Sequence, residues 1–316
     1  MPSGDLENVR CNLCGADDSR VLYDSPIDDA APGRVADYMA STNKFGRYGR
    51  IVRCRRCRLV YTNPRPAPAT LRGGYEAAVD SDYAEEDFSR SINAHLSLRT
   101  IRKLMPSGRL LDVGCSTGFF LNAARLDFEV YGVEPSRWAV DYARRRLRLA
   151  VHLGGIEDGG FDDSSFDVIS MNDVIEHLTD PRAALGRVHR LLRPGGVLYL
   201  VTPDISGLAA RVLRGKWWGL RPAHVYYFSR ATLQRMLEEA GFRIVLSRSY
   251  GRMFTYGYWL GRLQGYPRLI HRTAARAIRL LRIEEKLLYL DTRDSIELCA
   301  LKTAENPGAR GDSIVS

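Results

Sequence analysis

The sequence predicts an α/β fold with a mostly parallel sheet, preceded by a small N-terminal domain with four metal-binding cysteines. From residue 109 onward, short β-branched or apolar segments alternate with helix-length segments, which is typical of a parallel sheet covered by helices on both faces. Two Cys-x-x-Cys pairs precede this region. The 316 residues are enough for one sizeable α/β domain and an appendage, at about 150 residues per domain.

The composition excludes several classes of protein. Hydrophobic residues make up 45%, charged residues 26% and aromatic residues 9%, which excludes collagen-like, mucin-like and wholly disordered chains. No apolar run approaches the ~18 residues of a membrane span and the first residues lack a signal peptide, so we expect a cytoplasmic protein without a transmembrane span. The net charge is +9, and eight basic against two acidic residues between Gly251 and Lys286 contribute +6 of it.

The cysteine spacing predicts a structural zinc site in a zinc-ribbon-like domain over residues 1–66. Two residues between thiolates let one tight turn place both sulfurs on a metal, and two such turns complete a four-sulfur shell with no open position. The ligands would be Cys11, Cys14, Cys54 and Cys57. The 39 residues between the pairs predict an inserted loop or hairpin around residues 24–48. Four unligated cysteines are the alternative, whereas a redox dithiol is disfavoured because no βαβ helix start lies nearby.

The remaining boundaries follow from composition. A proline-rich segment at residues 63–68 predicts a stiff linker without a strand, and residues 67–105 are predicted to form a helical linker or cap. The main domain would span residues 106–303 and a disordered tail residues 304–316.

The main domain is predicted element by element from its apolar periodicity. Strands are expected at residues 109–113, 129–133, 166–171, 197–202, 243–250 and 295–302, with a weak one near Val151. Helices are expected at 119–127, 137–147, 181–192 and 230–240, the last ended by Gly241.

Functional residues are expected where these strands end, because ligands of open α/β sheets bind outside the carboxyl ends of the strands. Gly114 and Gly118 follow the first strand and allow close backbone approach by a ligand. Glu134 closes the second strand and could accept two hydrogen bonds from a ribose diol. Asn172 and Asp173 end the fourth strand.

Two other classes of enzyme fit the glycine turn less well. A nicotinamide fingerprint, G-x-G-x-x-G, would have Ser116 and Phe119 at its second and third glycine positions. A hydrolase elbow, G-x-S-x-G, would use Ser116 with Asp173 and His224, but such an elbow normally follows several strands of its sheet.

The motifs together resemble the class I S-adenosylmethionine-dependent methyltransferases of type 11 or 23. The resemblance covers residues 90–302 and rests on segments 112–118, 166–177 and 192–198 together with Glu134. It implies a Rossmann-like sheet with an antiparallel last strand. It also implies that S-adenosylmethionine is bound by Asp112, Gly114, Cys115, Ser116, Gly118, Glu134 and Asn172. The N-terminal cysteines resemble a subgroup with a zinc-binding segment before the methyltransferase domain, as in certain sugar C-methyltransferases.

A base is expected near the end of the fourth strand, because methyl transfer to a hydroxyl removes a proton. Asp173, Glu176 and His177 stand at i, i+3 and i+4, so one helical turn would place them on one face, and His224 follows a Gly/Trp-rich loop that could cover the acceptor. This set resembles the metal site of ubiquinone-pathway O-methyltransferases and small-RNA 2′-O-methyltransferases, which implies a second divalent metal. A metal-free histidine base and purely structural roles are the alternatives. The expected acceptor is a hydroxyl of a small molecule or glycan.

A basic amphipathic helix is predicted within an insertion at residues 260–288. Ile270, Ala274, Ala277 and Leu281 share one face, and five arginines between residues 268 and 282 lie opposite. This helix could contact a membrane surface or another anionic partner, or pack on the domain with a solvated basic face. We do not expect nucleic acid as the partner. The alternative functions in which nucleic acid would be the partner are a nucleic-acid-binding zinc protein and an RNA methyltransferase.

Overall fold

The computed structural model describes residues 6–26, 37–39, 41 and 46–303. The predicted tail and most of the predicted loop between the cysteine pairs lie outside the described residues. No helix of the described ranges has the length and apolar character that crossing a bilayer requires.

The described chain forms these strands and helices. The strands are β1 (Leu6–Glu7), β2 (Ser19–Tyr23), β3 (Ile51–Cys54), β4 (Val60–Thr62), β5 (Arg65–Pro66), β6 (Gly108–Val113), β7 (Phe128–Glu134), β8 (Val151–Leu153), β9 (Phe166–Asn172), β10 (Leu192–Pro203), β11 (Tyr226–Tyr227), β12 (Phe242–Ser249), β13 (Arg252–Thr255), β14 (Leu287–Leu290) and β15 (Ser295–Lys302). The helices are α1 (Pro68–Glu76), α2 (Ser81–Glu85), α3 (Asp87–Ile101), α4 (Phe119–Ala124), α5 (Arg137–Leu147), α6 (Pro181–Leu191), α7 (Leu208–Leu213), α8 (Arg230–Glu239), α9 (Tyr256–Arg262) and α10 (Arg268–Leu281).

The central sheet has seven strands in the order β12-β15-β10-β9-β6-β7-β8. The pairs from β10 to β8 are parallel, whereas β15 runs antiparallel to both β10 and β12. The mostly parallel sheet with an antiparallel last strand is therefore confirmed. Its central strands are buried on both faces, which explains why they are continuous apolar runs in the sequence.

Local sequence signals set the helix ends. In α8, the Ser229 hydroxyl accepts from the backbone N–H of Thr232, and the Thr232 hydroxyl accepts from that of Ser229, forming a capping box. Gly241 follows with a φ of +89°, the left-handed conformation expected of the residue that ends this helix. Helix α4 ends at Ala124, three residues before the predicted end.

The N-terminal unit packs directly on the central domain. A second sheet has the order β11-β4-β3-β2, so a strand from the main domain completes the sheet of the N-terminal unit. The linker is predicted without a strand, but it contains β5, which pairs antiparallel with β1. A proline is tolerated in this strand because Pro66 at a sheet edge loses no ladder hydrogen bond. Buried Arg65 donates to the hydroxyl of Tyr226 (3.1 Å) and to the carbonyl of Thr179 (2.7 Å). The boundary at residue 66 stays a prediction, but the two units share a strand and a core.

The basic helix forms as α10, but it buries a different face from the predicted one. Ala275 is buried, whereas Ile270 and Leu281 are 51% and 63% exposed. The helix contacts α9, and its buried or half-buried residues are His271, Ala274, Ala275 and Ile278. The predicted apolar side of α10 is therefore mostly exposed, so the alternative in which this side packs on the domain is wrong.

Candidate active site

One cavity of about 1110 Å³ lies at the carboxyl ends of β6, β7 and β9. We call the part around the strand ends the glycine end; it is lined by Gly114, Ser116, Glu134, Ser136 and Asn172. We call the part lined by Phe254, Tyr258, Trp259, Leu263 and Leu288 the aromatic end. Glu176, His177 and His224 also line the cavity. The cavity is larger than the roughly 300–1000 Å³ of common single-ligand pockets, which leaves room for two ligands.

Glu134 is the fixed anion of the glycine end. Its Oε2 accepts from the backbone N–H of Ser116 and its Oε1 from that of Ser136, both at 2.8 Å. Burial raises the pKa of this carboxyl, and the two backbone donors counteract part of the rise. Each oxygen keeps a further lone pair, so the carboxylate can still accept a hydroxyl of a diol.

The backbone of the first turn is open to a ligand because of glycine. Gly114 has a φ of +68°, and a Cβ there would lie 2.7 Å from Cγ2 of Val174. Ser116 follows with a φ of +48° and points its N–H at Glu134. The turn therefore brings bare backbone and a carboxylate to one wall of the cavity.

Three further residues of the predicted cofactor set shape this turn without lining the cavity. The Asp112 Oδ1 accepts from the Ser170 hydroxyl at 2.7 Å, and burial raises the pKa of Asp112 to about 7. Cys115 is buried against Gly132, where a Cβ would meet its sulfur at 2.6 Å. A Cβ at Gly118 would lie 2.5 Å from Cδ1 of Leu149, so this glycine lets the chain pack closely there.

Glu176, His177 and His224 form a compact cluster on the cavity wall. One ligand atom from each lies within 4.8 Å of the others. The Nδ1 of His177 lies 3.0 Å from the carbonyl of Ala223, and the Nδ1 of His224 lies 2.8 Å from that of Gly219. Since a carbonyl only accepts, we assign the hydrogen of each ring to Nδ1, which leaves a lone pair on each Nε2.

Burial sets the charge of this cluster. It raises the pKa of Glu176 to about 8, helped by the nearby Asp173, and lowers the pKa of His177 to about 4. The Glu176 Oε2 accepts from the Thr202 hydroxyl at 2.9 Å, whereas its buried Oε1 has no hydrogen-bond partner among the described residues. That oxygen lies 4.0 Å from the Nε2 of His177. The cluster thus offers two neutral imidazole nitrogens and one carboxyl oxygen.

Asp173 does not join the cluster, although the sequence predicts it on the same helical turn. It has a φ of +54°, and the following turn, Ile175–His177, is a 3₁₀ helix. Both carboxylate oxygens of Asp173 accept from Nη2 of Arg252 at 2.8 Å. The predicted i, i+3, i+4 arrangement is therefore wrong for Asp173, because its left-handed backbone and the 3₁₀ turn keep it out of the cluster, although it lines the same cavity and pairs there with Arg252.

The aromatic end consists mainly of residues without a motif. The rings of Phe254 and Tyr258 stack with centroids 3.8 Å apart, and Trp259 contacts both edge-on. Arg252 belongs to the basic segment of the sequence, but no local sequence pattern predicts its position beside Asp173.

The histidine cluster also contacts a residue that the sequence does not point to. The hydroxyl of Tyr75 lies 2.6 Å from Nδ1 of His177, and these two residues are distant in sequence.

The Gly/Trp-rich loop is anchored to the domain. The Nε1 groups of Trp217 and Trp218 both donate to Oδ2 of Asp294 at 2.6 Å. Trp217 is buried in the core, whereas Trp218 lines the cavity. The loop therefore supplies one wall residue.

The four N-terminal cysteines are brought together as predicted. Their sulfurs lie within 4.8 Å of one another, with 3.3 Å from Cys11 to Cys57 and 3.6 Å from Cys14 to Cys54. A tetrahedral zinc site with bonds of about 2.3 Å requires sulfurs about 3.8 Å apart. Gly15 and Arg58 follow the two pairs with φ values of +71° and +69°, so both turns have the same shape. The cluster is compatible with a small zinc site.

Comparison with known proteins gives the family. A family model described as a methyltransferase domain matches residues 83–247. An uncharacterised methyltransferase of Schizosaccharomyces pombe is 32% identical over 146 residues, which are 42% of this chain and 52% of that protein. A ubiquinone biosynthesis O-methyltransferase of Xanthomonas campestris is 29% identical over 130 residues, which are 39% of this chain and 54% of that protein.

A solved structure supports the fold. A chain in the complex of the Haloferax volcanii Trm112 methyltransferase activator and a methyltransferase aligns with a TM-score of 0.51 at 18% identity. The alignment covers 72% of this chain and 96% of that one. The chain spans between 42% and 66% of the length of the first curated relatives that it matches.

Proposed function

The chain belongs to the class I S-adenosylmethionine-dependent methyltransferases, and we propose that it methylates a hydroxyl of a small molecule or glycan. The observation that carries the hydroxyl is the Glu176, His177 and His224 cluster, which places proton acceptors on the wall of the cavity. Ser116, the nucleophile of the hydrolase alternative, lies in the turn whose backbone N–H holds Glu134.

The glycine end fits S-adenosylmethionine. Glu134 would hold the ribose hydroxyls, and Gly114, which lines the cavity without a side chain, would let the cofactor approach the backbone closely. When bound, S-adenosylmethionine supplies a methyl group on a positively charged sulfonium. Asn172, at the end of β9, faces the same part of the cavity and can donate an amide hydrogen bond.

The histidine cluster would remove the acceptor proton. The Nδ1–H bonds to backbone carbonyls fix both rings and aim the lone pairs of Nε2 along the cluster. Two such nitrogens and a carboxylate oxygen also form a donor set that would hold a divalent cation, which would lower the pKa of a hydroxyl bound to it. We infer that these residues act either as a metal-free base or as ligands of a second divalent metal.

Metal dependence separates these two roles. If a cation is required, chelation abolishes methyl transfer and added Mg²⁺ or Mn²⁺ restores it, while binding of S-adenosylhomocysteine is unchanged. If a histidine is the base, chelation has no effect and His224→Gln lowers kcat by about 10²–10⁴-fold. Unchanged kcat in both His177→Gln and His224→Gln would contradict both roles.

The acceptor itself requires a direct experiment. Incubation with methyl-labelled S-adenosylmethionine and fractionated cell extract should label one compound, and mass spectrometry should locate the methyl on an oxygen. A methyl on carbon or nitrogen would overturn the hydroxyl assignment, and labelled RNA would favour the RNA methyltransferase alternative.

The four cysteines, we further propose, bind one structural zinc. The four sulfurs surround a single point, and four thiolates leave no coordination position for a substrate. The support is the shared geometry of the two turns and the contact of this unit with the active site. The Thr62 hydroxyl donates to the carbonyl of His224 at 3.1 Å.

A further inference from the structure

Helix α10 fully buries one residue and exposes several large apolar ones, unlike a helix that packs on a protein core. Leu280 is 82% exposed and Leu269 76% exposed, whereas Ala275 is buried. Leu280 follows Leu269, and Leu281 follows Ile270, after about three helical turns, so these four exposed side chains lie along one side of the helix. Isolated exposed leucines are common, but several large apolar side chains exposed along one side of a helix indicate a binding surface.

Positive charge surrounds this apolar patch. Arg272, Arg276 and Arg279 are exposed, follow at intervals of four and three residues, and lie beside the leucines on the helix surface. Arg268 and Arg282 stand at the two ends. A helix that exposes apolar side chains along one side and arginines along the adjacent side is the arrangement of a helix that lies in the interface of an anionic bilayer.

The apolar surface continues into the active-site cavity. Ile270 of α10 and Leu290 of β14 line the cavity, and both are also exposed to solvent. Beyond them the wall is formed by the aromatic end, including Trp259 and Leu288. An apolar molecule at the outer face of α10 therefore has an apolar path toward the histidine cluster.

We propose that α10 docks this enzyme on an anionic membrane surface and that the acceptor is an amphiphile whose apolar chain occupies the aromatic end. The acceptor part of this inference rests on the proposed function, whereas the docking part does not. The membrane is favoured over nucleic acid because one side of the exposed helix consists of leucine and isoleucine side chains, which no phosphate backbone requires. A neutral surface would leave the arginines without opposite charge.

Vesicle sedimentation tests the docking. The full chain is mixed with vesicles of phosphatidylglycerol and phosphatidylcholine, or of phosphatidylcholine alone. We expect binding to the anionic vesicles only, weakened at least tenfold by raised salt, by the double variant Leu269→Asp/Leu280→Asp and by the triple variant Arg272→Gln/Arg276→Gln/Arg279→Gln. The matched control is Leu126→Asp, because Leu126 is 77% exposed but lies away from α10, and it should bind like the wild type.

Several outcomes would overturn the docking. Equal binding to neutral vesicles or unchanged binding in both variants would do so. If the wild type does not bind vesicles, two other results would also overturn the docking. One is RNA binding that is lost in the triple arginine variant, and the other is a dimer that dissociates in the double leucine variant. Affinity for S-adenosylhomocysteine, measured by calorimetry in each variant, shows that the fold is retained, because the glycine end does not involve α10.

Product partition tests the acceptor. With labelled S-adenosylmethionine and a total lipid extract, the labelled product should enter the organic phase, and Leu288→Asp should lower its formation at least tenfold. Label confined to the aqueous phase would overturn the amphiphilic acceptor while leaving the methyltransferase intact. Failure of the wild type to bind S-adenosylhomocysteine would instead contradict the placement of the cofactor.

Discussion

The two ends of the cavity are built in opposite ways. The glycine end comes from three adjacent parallel strands and their turns, and its functional groups are backbone N–H groups and buried carboxyls. The aromatic end is assembled from β13, α9 and β14, and it presents aromatic rings and exposed apolar edges. The first end is fixed by the sheet itself, so it can serve one cofactor in many proteins. The second depends on an insertion, so we infer that acceptor specificity lies there.

The histidine cluster lies between these ends and depends on a third region. Strand β4 of the N-terminal sheet pairs with β11, which follows His224 by two residues. The backbone N–H of Thr62 also donates to the carbonyl of Val225 at 3.0 Å. The N-terminal unit therefore supports the acceptor side of the active site and has no such contact with Glu134 among the described residues.

Removal of the zinc ligands should have the largest effect on methyl transfer. It should impair the acceptor side of the active site and leave cofactor binding at the glycine end intact. In Cys54→Ser/Cys57→Ser, we expect zinc to fall from about one per chain to none, because structural four-ligand sites contribute about 10–16 kcal/mol of binding energy in zinc-finger peptides. Methyl transfer should be lost while affinity for S-adenosylhomocysteine stays within about threefold. Metal analysis and calorimetry measure the two quantities.

The control for this experiment is Cys299→Ser, which changes a buried cysteine outside the cluster and should keep its zinc. A folded wild type without zinc would contradict the predicted N-terminal domain. Equal loss of cofactor affinity in the double variant would show that the two ends are not independent.

The next largest effect is expected at the glycine end itself. Glu134→Ala removes a carboxylate that holds two backbone N–H groups and would hold the ribose, so S-adenosylhomocysteine affinity should fall by about 10²–10³-fold, since each charge-assisted hydrogen bond contributes about 1.5–3 kcal/mol. Calorimetry measures the affinity. Glu129→Ala is the matched control, because Glu129 lies on the same strand with an exposed side chain. An unchanged affinity in Glu134→Ala would refute the placement of the cofactor.

The contrast between the ends also explains what the sequence could predict. Strands β6, β7 and β9 are apolar runs that end in Gly114, Glu134 and Asn172, and the rule that ligands bind at strand ends places these residues in one cavity. The zinc ligands are equally easy to recognise in the sequence, because tetrahedral zinc imposes a short fixed spacing on each cysteine pair. In both regions the functional groups lie close to a sequence signal.

The acceptor side is predictable only in part. Glu176, His177 and His224 carry a sequence signal and lie together. The i, i+3 spacing also places Asp173 beside Glu176, because a regular helical turn is its simplest interpretation, but the left-handed backbone of Asp173 and its bond to Arg252 are visible only in three dimensions. Periodicity predicts the apolar side of α10 but does not reveal which side of the helix the domain covers. Contacts such as Tyr75 to His177 join segments about 100 residues apart, and a single sequence carries no record of them.

The smallest of the three effects tests how firmly the Gly/Trp-rich loop is held. Asp294→Ala removes the acceptor of two indole N–H groups, from Trp217 and Trp218, and leaves them buried or partly buried without their partner. We expect a loss of about 2–3 kcal/mol in the free energy of unfolding, measured by urea denaturation, because an unsatisfied buried donor costs about 1–3 kcal/mol. Asp294→Asn keeps one carbonyl oxygen and should lose less. The control Asp291→Ala removes an exposed carboxylate nearby and should change the free energy of unfolding by no more than about 0.5 kcal/mol. Since Trp218 lines the cavity and Glu134 does not contact this loop, Asp294→Ala should weaken acceptor turnover without changing affinity for S-adenosylhomocysteine. An equal loss of acceptor turnover and of cofactor affinity would mean that the cavity moves as one unit.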